Sequence, residues 1–252
     1  MRIGIIGTGL IGASIGLACR ERGDEVLGCD IDAGAFAAAI RSHAVDRAAS
    51  RDELYECCDV VVIAAHLRAT LAEMAELREH PLRRNQLVID VASVKAPIAA
   101  AAHHIPAFIP THPMAGSEQR GASAARADLF SGRSWCYVPT TDEARTQAAR
   151  DFIERFGARP VAVDAHDHDR IVALTSHLPQ LIAYAFTRCV AELAAIDPET
   201  TDALCGRITH ELLRLGRSSP QMWDEIFAAN ASEIDSARIQ VEAALNARWL
   251  SR

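Results

Sequence analysis

Up to Asp164 the chain alternates short apolar runs with amphipathic stretches. The runs predict strands at Arg2–Ile6, Glu25–Cys29, Val60–Ala64, Leu87–Asp90, Ala107–Ile109, Trp135–Val138 and Pro160–Val163. Helical periodicity lies between most of them, as in Gly9–Arg22, Arg68–Arg78 and Glu143–Phe156. Alternation of this kind builds βαβ units and a mainly parallel sheet. After Asp164 no strand pattern remains, and helices are expected over 167–195, 199–215, 220–229 and 231–249. Asp197-Pro198 and Ser219-Pro220 are start signals, Gly216 is a stop, and Pro179 should kink the first of these helices. The expected architecture is α/β, with one domain over residues 1–163 and an all-helical domain over 164–252. The second has a small core to stand alone, so it is expected to pack on the first domain and on a second subunit.

Composition narrows the partners. Half of the chain is apolar and 5% is aromatic, so aliphatic packing must form the core. A formal charge of −7 argues against nucleic acid or an acidic membrane surface, and an anionic substrate would need local positive charge. The seven cysteines follow no Cys-x-x-Cys spacing. They read as reduced thiols of a cytoplasmic protein, not as disulfides or a zinc site. Glycines break up the apolar start, so no signal peptide is expected, and no apolar run reaches the ~18 residues of a membrane span.

Gly7-Thr8-Gly9-Leu10-Ile11-Gly12 follows a predicted strand and opens a predicted helix, the context that makes a G-x-G-x-x-G a dinucleotide fingerprint. The glycines permit the turn, the approach of a pyrophosphate and close helix–strand packing, and the helix N-terminus supplies amide donors. Asp30 ends the second strand, where a carboxylate accepts from the adenosine ribose and repels a 2′-phosphate. With no arginine in the next several positions, NAD is the expected cofactor. Asp32 is expected to cap the following helix instead.

The candidate chemistry centres on Thr111-His112-Pro113-Met114-Ala115-Gly116-Ser117-Glu118. Pro113 biases His112 toward an extended backbone. His112 is therefore expected at the carboxyl end of the strand before it, where open α/β sheets place ligand chemistry. A histidine there can take a proton near neutral pH. Ser93, in Asp90-Val91-Ala92-Ser93-Val94-Lys95, could orient His112 or meet a substrate hydroxyl, and Lys95 is the only lysine beside 25 arginines. Ser176-His177-Leu178-Pro179-Gln180 places polar side chains beside the expected kink, and Glu211 and Arg214 lie on a late helix. His166-Asp167-His168-Asp169 has the look of metal ligands but reads better as a polar helix entry with Asp167 as a cap. No metal is expected.

Together Gly7–Gly12, Asp30, Asp90–Lys95, His112–Glu118 with Gly121, Ala127-Asp128-Leu129-Phe130, Ser176–Pro179 and Met222-Trp223 resemble the prephenate/arogenate (cyclohexadienyl) dehydrogenases of tyrosine biosynthesis. The resemblance spans nearly the whole chain. It implies a Rossmann-like domain, a helical domain that forms a homodimer, and NAD(P)-dependent oxidative decarboxylation of a small cyclohexadienyl carboxylate. It further implies that His112 is the catalytic base with Ser93 as its partner at the substrate hydroxyl, and that Ser176 lies by the substrate. By the same resemblance Arg214 holds a substrate carboxylate, and Glu211 replaces an aspartate that pairs with it.

The chain departs from the family at Gln180, where prephenate users often carry histidine, at Ile208-Thr209-His210-Glu211, and at His66, where proline is common. The first two bear on recognition of the substrate side chain, so Gln180 is kept as a substrate-binding candidate. They also keep open a relative of secondary metabolism acting on 4-amino-4-deoxyprephenate. A catalytically inactive NAD sensor is a second alternative, which the His112/Ser93 pairing disfavours. β-Hydroxyacid dehydrogenases share the domain order but use a lysine in the helical domain, and this chain has none after Lys95. No fused second enzyme is expected after Arg252, and any feedback by tyrosine is expected at the active site.

Overall fold

The computed structural model describes residues 1–116 and 119–250, with backbone alone for the last two. Ser117 and Glu118 of the His112 segment lie outside the described residues. Two compact units divide the chain, Met1–His166 and Asp167–Arg252.

The first unit is built on β1 (Arg2–Ile6), β2 (Glu25–Cys29), β3 (Arg47–Ala48), β4 (Val60–Ile63), β5 (Leu87–Asp90) and β6 (Phe108–Ile109). They form one six-stranded sheet in the order β3-β2-β1-β4-β5-β6, and every pairing is parallel. Residues of β4 and β5 are all buried, as parallel strands covered on both faces must be, which is why these runs are Val, Ile and Leu except for Asp90 at the end of β5. The strand order reverses between β1 and β4, and a crevice opens at such a point beyond the carboxyl ends. Helix α1 (Leu10–Arg20) starts at this point, directly after the glycine loop. Asp32 caps α2 (Ala33–Arg41) as expected, its Oδ1 accepting from Gly34 N at 2.8 Å and Ala35 N at 3.1 Å. Helices α3 (Arg51–Cys57), α4 (Leu67–Leu77) and α5 (Ala96–Ala102) complete the crossovers.

Past β6 the chain leaves that sheet. β7 (Thr111–Pro113), β8 (Ser134–Tyr137) and β9 (Arg159–Ala162) form a second sheet in the order β7-β8-β9, with β7 antiparallel and β9 parallel to β8. Helix α6 (Glu143–Glu154) connects β8 to β9. This corrects the sequence expectation for His112. It sits in the middle of a short edge strand of the second sheet, not at the end of a strand of the main one. Pro110, between the two, cannot donate a sheet hydrogen bond and marks the change of sheet.

The second unit is helical. The continuous helix expected over 167–195 is instead α7 (Ala165–Val172), one π-helical turn over Ala173–His177, and α8 (Leu178–Ala194). The irregularity expected at Pro179 thus falls one turn earlier, where the ring of a proline in the first turn of α8 would meet the preceding carbonyls. The helix expected over 199–215 divides at Cys205-Gly206 into α9 (Pro198–Leu204) and α10 (Arg207–Leu215). Helices α11 (Pro220–Ala229) and α12 (Ala231–Leu250) follow. Asp197 caps α9 through Thr200 N at 3.0 Å. The cap expected at Asp167 is a correction: Asp164 accepts from His166 N at 2.8 Å, and Asp167 pairs with Arg170 at 3.0 Å. Among the described residues no helix is long and apolar enough to cross a membrane.

Candidate active site

The glycine loop has the geometry a dinucleotide requires. Gly7 has φ +94, and a Cβ there would lie 2.5 Å from Ala64 O. A Cβ on Gly12 would lie 2.0 Å from Gly7 O, so Gly12 is what lets α1 sit against the turn. Around Gly9 the space is open, with nothing within 4 Å of a Cβ position. The first intrahelical bond of α1 runs from Ala13 N to Gly9 O at 2.9 Å. The amides of Leu10, Ile11 and Gly12 precede it and have no intrahelical acceptor, which is the anion-binding arrangement of a helix N-terminus.

Asp30 does more than the sequence suggested. Its Oδ2 accepts from Thr8 N at 2.6 Å and Thr8 Oγ1 at 3.0 Å, and its Oδ1 accepts from Asp32 N at 2.9 Å. The carboxylate therefore ties the glycine loop to the end of β2. A carboxylate has roughly four acceptor positions, so these three donors leave room for one more.

His112 is half-buried between the buried Thr111 and Pro113. Side chains alternate along a strand, so the imidazole faces away from the core-facing residues of β7. Its cross-strand neighbour is Cys136, also half-buried, whose thiol is pushed up by burial and partly offset by the Lys95 charge. Next to His112 lies a polar cluster that the sequence reading missed. Lys95 and Asp90 form an ion pair with both side chains 0% exposed. Lys95 Nζ also donates to Thr111 O at 2.7 Å, and Thr111 N donates to Asp90 Oδ1 at 2.9 Å. Thr111 Oγ1 donates to Asp90 O and accepts from Trp135 Nε1 at 3.0 Å. Ala92 N donates to Asp90 Oδ2 at 2.8 Å. Ser93, half-buried, lies on the short loop between the two charged residues. The one available signal was the lone lysine five residues after a strand-end aspartate. Its burial was not legible, because lysine is almost never fully buried unless paired.

In the helical unit Ser176 and His177 occupy the π-turn, a feature often found at functional sites. Ser176 is half-buried, while His177 is buried and its ring lies edge-on to Trp223, with centroids 5.9 Å apart. Asn230 Nδ2 donates to Asp169 O at 2.8 Å and sits 3.1 Å from His177 Nδ1. Burial, with a smaller contribution from the neighbouring His168, pushes the His177 pKa down to about 4 against the opposing pull of Asp169. His168 Nδ1 is 2.7 Å from Asp169 Oδ1, a buried pair inside the cluster that resembled a metal site. Gln180 is buried, and its Nε2 donates to Leu215 O at 2.8 Å, tying α8 to the end of α10. Arg214 and Glu211 pair on exposed α10, Nε to Oε2 at 3.1 Å. His66 is the exposed residue before α4.

The parallel sheet with its reversed strand order and glycine loop defines a dinucleotide-binding enzyme fold, here followed by a helical unit. Comparison with known proteins makes the class specific. Residues 15–162 match the prephenate dehydrogenase nucleotide-binding domain, and residues 164–248 match the prephenate dehydrogenase dimerization domain. The chain belongs to the prephenate dehydrogenase family. It is 34% identical to the probable prephenate dehydrogenase NovF of Streptomyces niveus over 91% of this chain and 63% of that protein. With the prephenate dehydrogenase of Bacillus subtilis (strain 168) it is 28% identical over 91% of this chain and 64% of that one. The chain thus spans a little under two thirds of the length of these two relatives. The crystal structure of Synechocystis arogenate dehydrogenase is also similar, with TM-score 0.80 and 27% identity over 98% of this chain and 90% of that one.

Proposed function

We propose that this protein is an NAD-dependent dehydrogenase of prephenate, arogenate or both, which oxidises the ring carbinol with loss of the ring carboxylate. The observation that carries the reading is the setting of His112, half-buried on an edge strand whose outer backbone is held at Thr111 by a buried ion pair. Residues 1–163 hold the dinucleotide in this reading, and residues 164–252 supply substrate contacts and the homodimer contact. Gly7, Thr8, Gly9, Leu10, Ile11 and Gly12 cradle the pyrophosphate, and Asp30 takes the ribose and selects NAD. When bound, the nicotinamide supplies the hydride acceptor.

His112, neutral, takes the proton of the ring hydroxyl as the carbinol carbon is oxidised, and Ser93 hydrogen-bonds the same hydroxyl. General-base help of this kind supplies about 10²–10⁴-fold. The resulting dienone is vinylogous to a β-keto acid, so aromatisation drives loss of CO₂ without further help from the protein. Arg214, held by Glu211, pairs with a substrate carboxylate in the bidentate manner guanidinium allows. Ser176 and Gln180 complete the substrate contacts.

His112→Asn tests the assignment. The variant should bind NADH like the parent, by fluorescence titration, and lose at least 10²-fold in kcat. Near-parental turnover would remove His112 from the mechanism. A second reading, action on 4-amino-4-deoxyprephenate, draws on the departures at Gln180 and Glu211. NADH formation measured side by side with prephenate, arogenate and the amino analogue separates the two.

A further inference from the structure

We propose that the buried Lys95–Asp90 pair is a positioning device for His112, and that its contribution to turnover far exceeds its contribution to stability. The inference rests on the dehydrogenase reading, which makes His112 the base. Burying two charges costs several kcal/mol per ion, and an apolar pair of similar volume is often as stable or more so. Stability alone is a poor reason for this pair.

The hydrogen bonds give a better one. β7 is an edge strand. Val138 N donates to Pro110 O and Met114 N to Ser134 O, each at 2.9 Å. In an antiparallel ladder bonded and non-bonded positions alternate, so the even-numbered residues of β7 face β8 and the backbone groups of Thr111 point the other way. Among the described residues no strand pairs with it on that side. Asp90 Oδ1 takes the Thr111 N–H and Lys95 Nζ takes the Thr111 carbonyl. The ion pair replaces a neighbouring strand at one residue, the residue before His112. At the next outward position, Pro113 has no N–H to satisfy.

The Thr111 side chain is held as well, by Asp90 O and Trp135 Nε1. Asp90 also ends β5 and fixes Ala92 N, so the same pair anchors the loop that carries Ser93. Two side chains thereby set the spacing of Ser93 and His112 across two sheets. Neither touches the reacting atoms in this scheme; both are positioning residues.

Lys95→Met alone leaves Asp90 charged and buried and should unfold readily. The informative variant is therefore Asp90→Asn with Lys95→Met, which removes both charges together. The expected result is a Tm close to the parent, an unchanged NADH Kd and a kcat lower by about 10²-fold, the loss that a misplacement of about 1 Å produces. The His112 ring resonance should also shift in a ¹H–¹³C NMR spectrum. Recovery of both Tm and kcat, with an unmoved His112 resonance, would overturn the proposal, as would loss of NADH binding, which indicates collapse of the unit. If the parent itself turns over no cyclohexadienyl substrate, the dehydrogenase reading fails, and the His112 resonance alone then decides whether the pair positions the ring.

Discussion

His177 should make the helical unit sensitive to mild acid. The residue is 1% exposed, and both protons of the Asn230 amide are committed, one to Asp169 O and one toward Nδ1. That hydrogen bond requires Nδ1 to be an acceptor, so the neutral imidazole carries its proton on Nε2. Protonating Nδ1 would set two donors against each other in a buried site. With a folded pKa of about 4 against 6.5 for the free residue, the unfolded chain binds the proton first. Stability is therefore lost as pH falls from about 6.5 toward 4. The full penalty, reached below the folded pKa, is roughly 3 kcal/mol, and about 2 kcal/mol of it appears between pH 7 and pH 5. His177→Asn offers an amide oxygen near the position of Nδ1 and cannot titrate. Urea unfolding of parent and variant at pH 7 and pH 5 isolates the histidine from the other groups that titrate in this range. The parent should lose about 2 kcal/mol more than the variant on acidification. Equal losses in the two proteins would refute the argument, because they would mean that His177 is protonated at no cost in the folded state.

Three further outcomes follow from the geometry. Gly12→Ala drives a Cβ to 2.0 Å from Gly7 O; backbone cannot yield as a flexible side chain can, so dinucleotide binding measured by NADH fluorescence should be lost, with a fall of about 1–3 kcal/mol in stability. Asp30→Asn keeps one acceptor oxygen for the Thr8 loop but removes the charge; the NADH Kd should rise about 10-fold or more while NADPH gains relative to NADH, and an unchanged ratio would show that selection lies elsewhere. Arg214→Ala breaks a pair whose partners are 45% and 59% exposed, so its Tm should stay within a degree or two, while the KM of a carboxylate substrate rises at least 10-fold if Arg214 binds it.

The sequence was most legible where burial is two-sided. β1, β2 and β5 run over the residues that the apolar pattern predicts, because strands covered on both faces must be continuous apolar runs. It was least legible where an element is short or irregular. β3 has two residues, both exposed, and offers no apolar pattern to read. The π-turn at Ala173–His177 keeps a helical apolar spacing and becomes visible only through its hydrogen bonds. The break at Cys205-Gly206 rests on a single glycine, which helices can tolerate. Residues of the site followed the same division. The glycine loop and Asp30 occupy fixed distances from a strand end, whereas the second duty of Asp30 at Thr8 depends on a contact between residues 22 apart.

The departure of β7 from the main sheet explains why that hidden cluster exists. A histidine at the carboxyl end of β6 would belong to a loop, with its position set by whatever packed around it. By moving β7 onto β8, the chain gives His112 a strand with one face buried, that of Thr111, Pro113, Trp135 and Tyr137, and one face half-buried, that of His112, Ser134 and Cys136. That move exposes the outer edge of β7 beside β5, and an edge inside a protein must be satisfied. Here the satisfaction comes from side chains. A carboxylate and an ammonium are the matching acceptor and donor for one N–H and one carbonyl, and here they also pair with each other. The lone lysine and the misassigned strand are thus one observation: once His112 is placed on an edge strand, Asp90 and Lys95 are what the edge requires.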